Sequence, residues 1–257
     1  MPISVTLSVG TLYAFLLVLA RVGGAIVFVP LPGITGAPQP VRAALALAFT
    51  LALSSRWPTI AAEGVTTTRM VAWIAAEAAI GIAIGVAVSI VIESFVLAAQ
   101  ILGLQAGYAY ASTIDPNTQA DSGILLVFAQ LAAGMLFFAL GLDREVLRLF
   151  AQSLDKVPVG TYVFGRSTAD ALIHLSSSLF TTGMRVALPV VALLVMVDVA
   201  LALMGRLNQQ LQLLSLAFPA KMLTALLVLS WIAVLLPRIM MQSSELAWTA
   251  ARHMLGM

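Results

Sequence analysis

Cysteine is absent from the chain, and histidine occurs only as His174 and His253. The first absence excludes disulfides, thiolate metal sites and cysteine nucleophiles, and leaves the redox compartment undetermined. The two histidines lie far apart in sequence near segment ends, where surface or interfacial positions are expected. Charge is scarce too: Asp, Glu, Lys and Arg make up 9% of residues, for a formal net charge of +2. The basic balance therefore reflects a shortage of ionisable groups more than a polybasic surface, and gives nucleic-acid binding no support. No HExxH zinc site, GxSxG elbow, phosphate-binding P-loop or Cys/His cluster is present. Ser176-Ser177-Ser178 beside His174 does not make a hydrolase site, because adjacent helix residues do not face one another and no orienting acid is evident. Neither an enzyme activity nor a cofactor is expected. A basic n-region with a small-residue cleavage site is missing, so the first apolar segment is expected to stay in the mature protein. No repeat of about 20 to 50 residues stands out.

What remains is apolar. Hydrophobic residues make up 61% of 257 positions and mean hydropathy is +1.05, far above a soluble domain, so the chain is read as an all-α integral membrane protein. Residues 11 to 29 are long enough for a span, with Arg21 in the middle. A Pro/Gly-rich link follows, and Arg42 opens a run from Ala43 to Leu53 that is marginal for a full crossing. Ser54 to Arg69 reads as a loop at an aqueous face. Met70 to about Ser112 is helix-compatible for about twice the ~20 residues a span needs, so a bend, hairpin or exit from lipid is expected at Glu93 to Gln100. Ile124 to Gly141 is apolar. Residues 142 to 170 carry the densest charge and read as an interfacial helix followed by a Pro158/Gly160 loop. Ala171 to Leu203 is overlong again and holds Pro189. After a break at Gly205 to Gln212 comes Leu213 to Leu236, and Pro237 to Met257 reads as an amphipathic tail. Lys and Arg do not collect on alternate loops, which leaves the orientation open.

The stretch from Glu93 to Asp121 organises the rest. Ala99, Gly103, Gly107 and Ala111 stand four apart and give a helix a face nearly free of side chains. Asp115-Pro116-Asn117 then supplies turn chemistry that a helix does not run through. Glu77, Gly81, Gly85 and Ser89 follow the same four-residue step, a small-residue packing face that carries an acid.

Arg21, Glu77, Glu93, Arg185, Asp198 and Lys221 all fall in apolar stretches. Each costs about 2.5 to 3.5 kcal/mol at the centre of a lipid-exposed span, so the folded state should turn them toward protein, water or partner subunits. Three acids against three bases suit ion pairing, whereas a proton path favours an excess of acids.

Several short motifs fall in one order over roughly residues 15 to 240. They are Ala20-Arg21-Val22-Gly23-Gly24, Pro40-Val41-Arg42 before AALAL, Glu77 with Ile80-Gly81 and Gly85, Gly103-Leu104-Gln105-Ala106-Gly107, Asp115-Pro116, Pro158-Val159-Gly160, Ala187-Leu188-Pro189-Val190, and Phe218-Pro219 with Lys221. In this pattern the chain resembles the FliR family, the R subunit of the flagellar protein-export gate, with homologues in virulence type III secretion. The resemblance implies helical hairpins with broken helices. Residues 1–165 would be similar to the P subunit and 166–257 to the Q subunit, joining a spiral hetero-oligomeric gate around a protein-conducting pore. Implied partners are FliP-like and FliQ-like subunits, FlhB-like and FlhA-like export components and unfolded export substrates. The implied place is the bacterial inner membrane, multi-pass, in the flagellar basal body. The family's plug maps to Gly107 through Gly123, including Thr113, Asp115, Pro116, Asn117 and Gln119. Gly81, Gly85, Ala99, Gly103 and Ala111 become candidates for packing between subunits. The chain departs from the family at Leu142-Asp143, where His is frequent after the glycine, and at Asn208 and Gln209, where Ala-Pro is frequent before Gln210-Leu211. The Gly-Leu-Gln and Asp-Pro motifs lean toward the flagellar branch over the virulence branch. The competing classes are an independent secondary transporter, which inverted repeats would favour, and an intramembrane enzyme.

Overall fold

The computed structural model describes residues 8–29, 38–61, 65–108, 124–162, 165–207 and 213–256. Among them the fold is all-α. Eight helices follow in order: α1 (Val9–Phe28), α2 (Gln39–Ala52), α3 (Thr67–Ala106), α4 (Ile124–Ala139), α5 (Leu142–Lys156), α6 (Arg166–Leu207), α7 (Leu213–Ile232) and α8 (Leu236–Met254), with a 3-10 turn Ser54–Arg56 after α2. Among the described residues three stretches are long and apolar enough to cross a membrane: α1, α3 and Thr168–Arg206 of α6. The bent pairs α4–α5 and α7–α8 raise the number to as many as five. The chain is an integral membrane protein.

At Glu93 to Gln100, where a bend, hairpin or exit from lipid is expected, no hairpin forms: α3 is one continuous helix of 40 residues. Ser89, Glu93, Leu97, Gln100 and Leu104 are all half-buried or exposed and follow one another at three- and four-residue steps. The polar side chains therefore leave along one narrow stripe, and the backbone keeps its helical bonds. α6 also runs unbroken for 42 residues, through Pro189. The two differ in cover: the apolar window of α3 is 72% buried and that of α6 only 22%.

The chain divides into two compact units, Met1–Ile90 with Gly141–Ser176 and Ser244–Met257, and Val91–Leu140 with Ser177–Ser243. In the first unit α1 buries one stripe, Ala14, Leu17, Val18, Arg21, Val22 and Ala25. Ser8 caps its start by accepting the N–H of Thr11. This stripe lies on α3 so closely that a Cβ on Gly81 would strike the carbonyl of Arg21, and one on Gly85 would stand 2.6 Å from that of Ala25. Only glycine permits that approach. α5 is amphipathic and buries Leu142, Leu149, Phe150 and Ser153, while its charged side stays outward. The Arg56–Asp155 ion pair ties it to the turn after α2.

The second unit is built from the C-terminal part of α3 with α4, α7 and most of α6. It forms a partly open apolar cavity of about 590 Å³ whose lining includes Ala99, Leu102, Tyr108, Leu125, Ala132 and Leu226.

Candidate functional site

The six charges singled out from sequence separate into two ion pairs and two residues that have no ion-pair partner among the described residues. In the first unit Arg21 and Glu77 are each 0% exposed. Arg21 Nε donates to Glu77 Oε2 at 2.5 Å, Nη1 to Ser153 Oγ at 3.2 Å and Nη2 to the carbonyl of Val157 at 3.3 Å. The second carboxylate oxygen, Glu77 Oε1, accepts the backbone N–H of Gly160 at 3.2 Å. Gly160 aims that N–H from a φ of 74°, against the face of Trp73, where a side chain would collide with the indole. The Arg69 guanidinium lies 5.0 Å from the centre of the same indole ring.

One cation thus joins α1, α3, α5 and the loop after α5. Each carboxylate oxygen has a donor, and all three nitrogens of the guanidinium have acceptors. With its donors and acceptors matched across four elements, this cluster is suited to holding helices in register. The sequence points to Arg21 and Glu77 but not to Ser153, Val157 and Gly160 as their partners. A signal exists for two of these: Ser153 is the one hydroxyl on the apolar stripe of α5, and Gly160 ends a motif that has no role of its own.

The second cluster lies in the second unit. Lys221 Nζ donates to Asp198 at 3.0 Å, and Gln105 Nε2 reaches the same carboxylate at 3.4 Å. It is more open than the first, with Asp198 43% and Lys221 15% exposed. Beside it α3 ends in a Schellman turn: Tyr108 N–H donates to the carbonyl of Gly103 at 2.9 Å, Gly107 N–H to that of Leu104 at 3.3 Å, and Gly107 has a φ of 86°. Tyr108 Oη then donates to the carbonyl of Met222 at 3.3 Å. A Cβ on Gly107 would stand 2.8 Å from the Phe218 ring. Gly107→Ala is therefore expected to lower stability by about 1–2 kcal/mol, the cost of a left-handed L-residue, read as a lower thermal midpoint in detergent. No change in that midpoint would contradict this reading of the turn.

The helical face expected through Ala111 stops at Ala106, because Gly107 closes the helix. Ala111, Thr113, Asp115, Pro116, Asn117 and Gln119 lie outside the described residues. Tyr108 and Leu125, which stand close to either end of that stretch, both line the apolar cavity. Gly81 and Gly85 are taken up by α1 of the same chain, Ala99 lines the cavity, and a Cβ on Gly103 would meet nothing within 4 Å. Glu93 and Arg185 are exposed and make no ion pair or hydrogen bond among the described residues. Nor do the described residues contain a group of three or more His, Cys, Asp or Glu placed to hold a metal ion.

The two clusters account for five of the sequence motifs. The Arg21, Glu77 and Pro158-Val159-Gly160 stretches meet in the first; Gly103 through Gly107 and Phe218 to Lys221 meet in the second. A family model described as bacterial export proteins, family 1, matches residues 12–247 and so covers both. The flagellar biosynthetic protein FliR of Escherichia coli (strain K12) is 28% identical over 223 residues, 86% of this chain and 83% of that protein. FliR of Caulobacter vibrioides is 25% identical over 219 residues, 85% of this chain and 87% of that protein. FliR of Buchnera aphidicola from Acyrthosiphon pisum is 27% identical over 159 residues, and the match spans 62% of its length. By the extent of the family match, the chain belongs to the bacterial export proteins, family 1.

Proposed function

We propose that the chain is the R-type subunit of a flagellar type III protein export gate, a structural component that assembles with P-like and Q-like subunits to pass unfolded substrates across the inner membrane. The observation that carries the assembly is α6. Its candidate span Thr168–Arg206 is 39 residues long, the apolar 18-residue window within it is only 22% buried within the chain, and about 20 residues suffice to cross a hydrocarbon core. Lipid on one span does not cover such a length, and neighbouring protein does. On this reading the Arg21–Glu77 cluster holds the first unit as a finished piece, while the second unit is completed by other chains. The division at 1–165 and 166–257 into P-like and Q-like parts belongs to the same proposal, as do FlhB-like and FlhA-like components as outer partners. Nothing in either cluster calls for chemistry on the substrate.

The resemblance also makes residues 107 to 123 the plug of the pore. Deleting Thr113 through Gln119 is expected to raise ion leak through proteoliposomes holding the assembled gate, with no rise when this chain is reconstituted alone. Unchanged leak in an assembled gate counts against the plug, and solute transport by the lone chain counts for a secondary transporter.

A further inference from the structure

Of the six charges in apolar stretches, Glu93 and Arg185 are the exposed ones, and Arg185 lies on the less covered of their two helices. It lies mid-way along the 42-residue α6, the least covered of the three long apolar helices. Gly183 is the contact of α6 with α3, where a Cβ would stand 3.0 Å from the Ser94 carbonyl and from Leu97 Cδ2. Arg185 follows Gly183 by two residues, about 200° round a helix of 3.6 residues per turn, so it points away from α3. Exposed Met184 and Leu188 flank it with apolar surface.

A second feature coincides with it. Pro189 lies inside α6 and has no N–H to give, and the carbonyl it leaves without a helical donor is that of residue 185. The same residue therefore presents a cation and a backbone acceptor that the helix does not satisfy. Ala187-Leu188-Pro189-Val190 is also a sequence motif that neither cluster absorbs.

A bare guanidinium on an apolar helix face is costly in lipid, and a fitting anion offsets this. We infer that Arg185 is the docking cation of α6, received by a carboxylate on a membrane helix of a neighbouring, different subunit, with a nearby hydroxyl or amide donor on that helix meeting the Arg185 carbonyl. The apolar flanks fit a helix, and the length of α6 requires protein cover on at least part of it. This rests on the gate reading and names the contact that reading lacks.

The test uses the complete chain co-expressed with its P-like and Q-like neighbours. Wild-type complex is first confirmed by native mass; if none forms, the gate reading fails and the docking assignment with it. Arg185→Lys complex is then treated with a carbodiimide, which joins an amine to a carboxylate in direct contact. Lys221 and Asp198, 3.0 Å apart, serve as the internal control. A new amide between position 185 and a carboxylate of another subunit type is the expected product, and Arg185→Glu is expected to cut recovered complex at least tenfold. If the control pair couples in an assembled complex and position 185 does not, the inference is overturned. Coupling to Glu93 of a second copy overturns it as well. So does an anionic phospholipid that stays with wild-type complex, is lost in Arg185→Gln, and leaves assembly unchanged.

Discussion

Arg21→Ala is expected to destabilise the first unit by about 3–5 kcal/mol, the largest effect of any single truncation described for this chain. The change leaves the Glu77 carboxylate 0% exposed with only the Gly160 N–H, and strips Ser153 and the Val157 carbonyl of a donor. The loss arises from the uncompensated charge, so the double variant Arg21→Met with Glu77→Met should lose less than either truncation alone. Arg21→Lys should fall between, since an ammonium lacks the fork that reaches three acceptors on separate elements. Thermal unfolding in detergent, followed by loss of helical signal, reads the series. A loss under about 1 kcal/mol for Arg21→Ala, the range of a surface pair, would contradict the lock.

The second large effect is expected at Gly81→Val, about 3 kcal/mol, the upper part of the overpacking range. The obstacles to a new Cβ are backbone atoms, the Arg21 carbonyl and, at 3.1 Å, the Ala25 nitrogen, so no rotamer change relieves the clash. α1 must move off α3, and that movement draws Arg21 from Glu77. The packing face and the ion pair are thus one device, and Gly81→Val combined with Glu77→Ala should lose less than the sum of the singles. Gly23 supplies the control. It adjoins Gly24 in sequence but has nothing within 4 Å, so Gly23→Ala is expected within about 0.5 kcal/mol of wild type.

Apolar runs, breaking residues and charge placement are enough to read an all-α membrane protein with Arg21 and Glu77 turned inward. The balance of acids and bases anticipates the pairing of Asp198 with Lys221. Glu93 shows where such reading misleads. A polar group in a long apolar helix suggests a bend, yet a helix accommodates such groups when they fall on one stripe, as Ser89, Glu93 and Gln100 do. Polarity alone does not reveal that stripe's freedom, because the other sides of α3 are covered by elements distant in the chain. Gly160 is illegible for a related reason. Its role is to aim one N–H at Glu77 across 83 positions, a relation with no local period. The four-residue step of Gly81 and Gly85 correctly marks close packing, but periodicity does not say whether the second helix belongs to the same chain.

A contrast between the units ties these observations to function. The first unit buries its strongest charges with their partners already in place. The second leaves Arg185 and Glu93 open and α6 largely bare, with an apolar cavity lined in part by Tyr108 and Leu125. Such a division suits a subunit that folds one part by itself and completes the other against neighbours.

The most direct measurement is the native mass of the tagged chain purified in mild detergent after co-expression with P-like and Q-like partners. The account predicts one discrete mixed complex containing both. A monomer or homo-oligomer, with all partners present and folded, would contradict it.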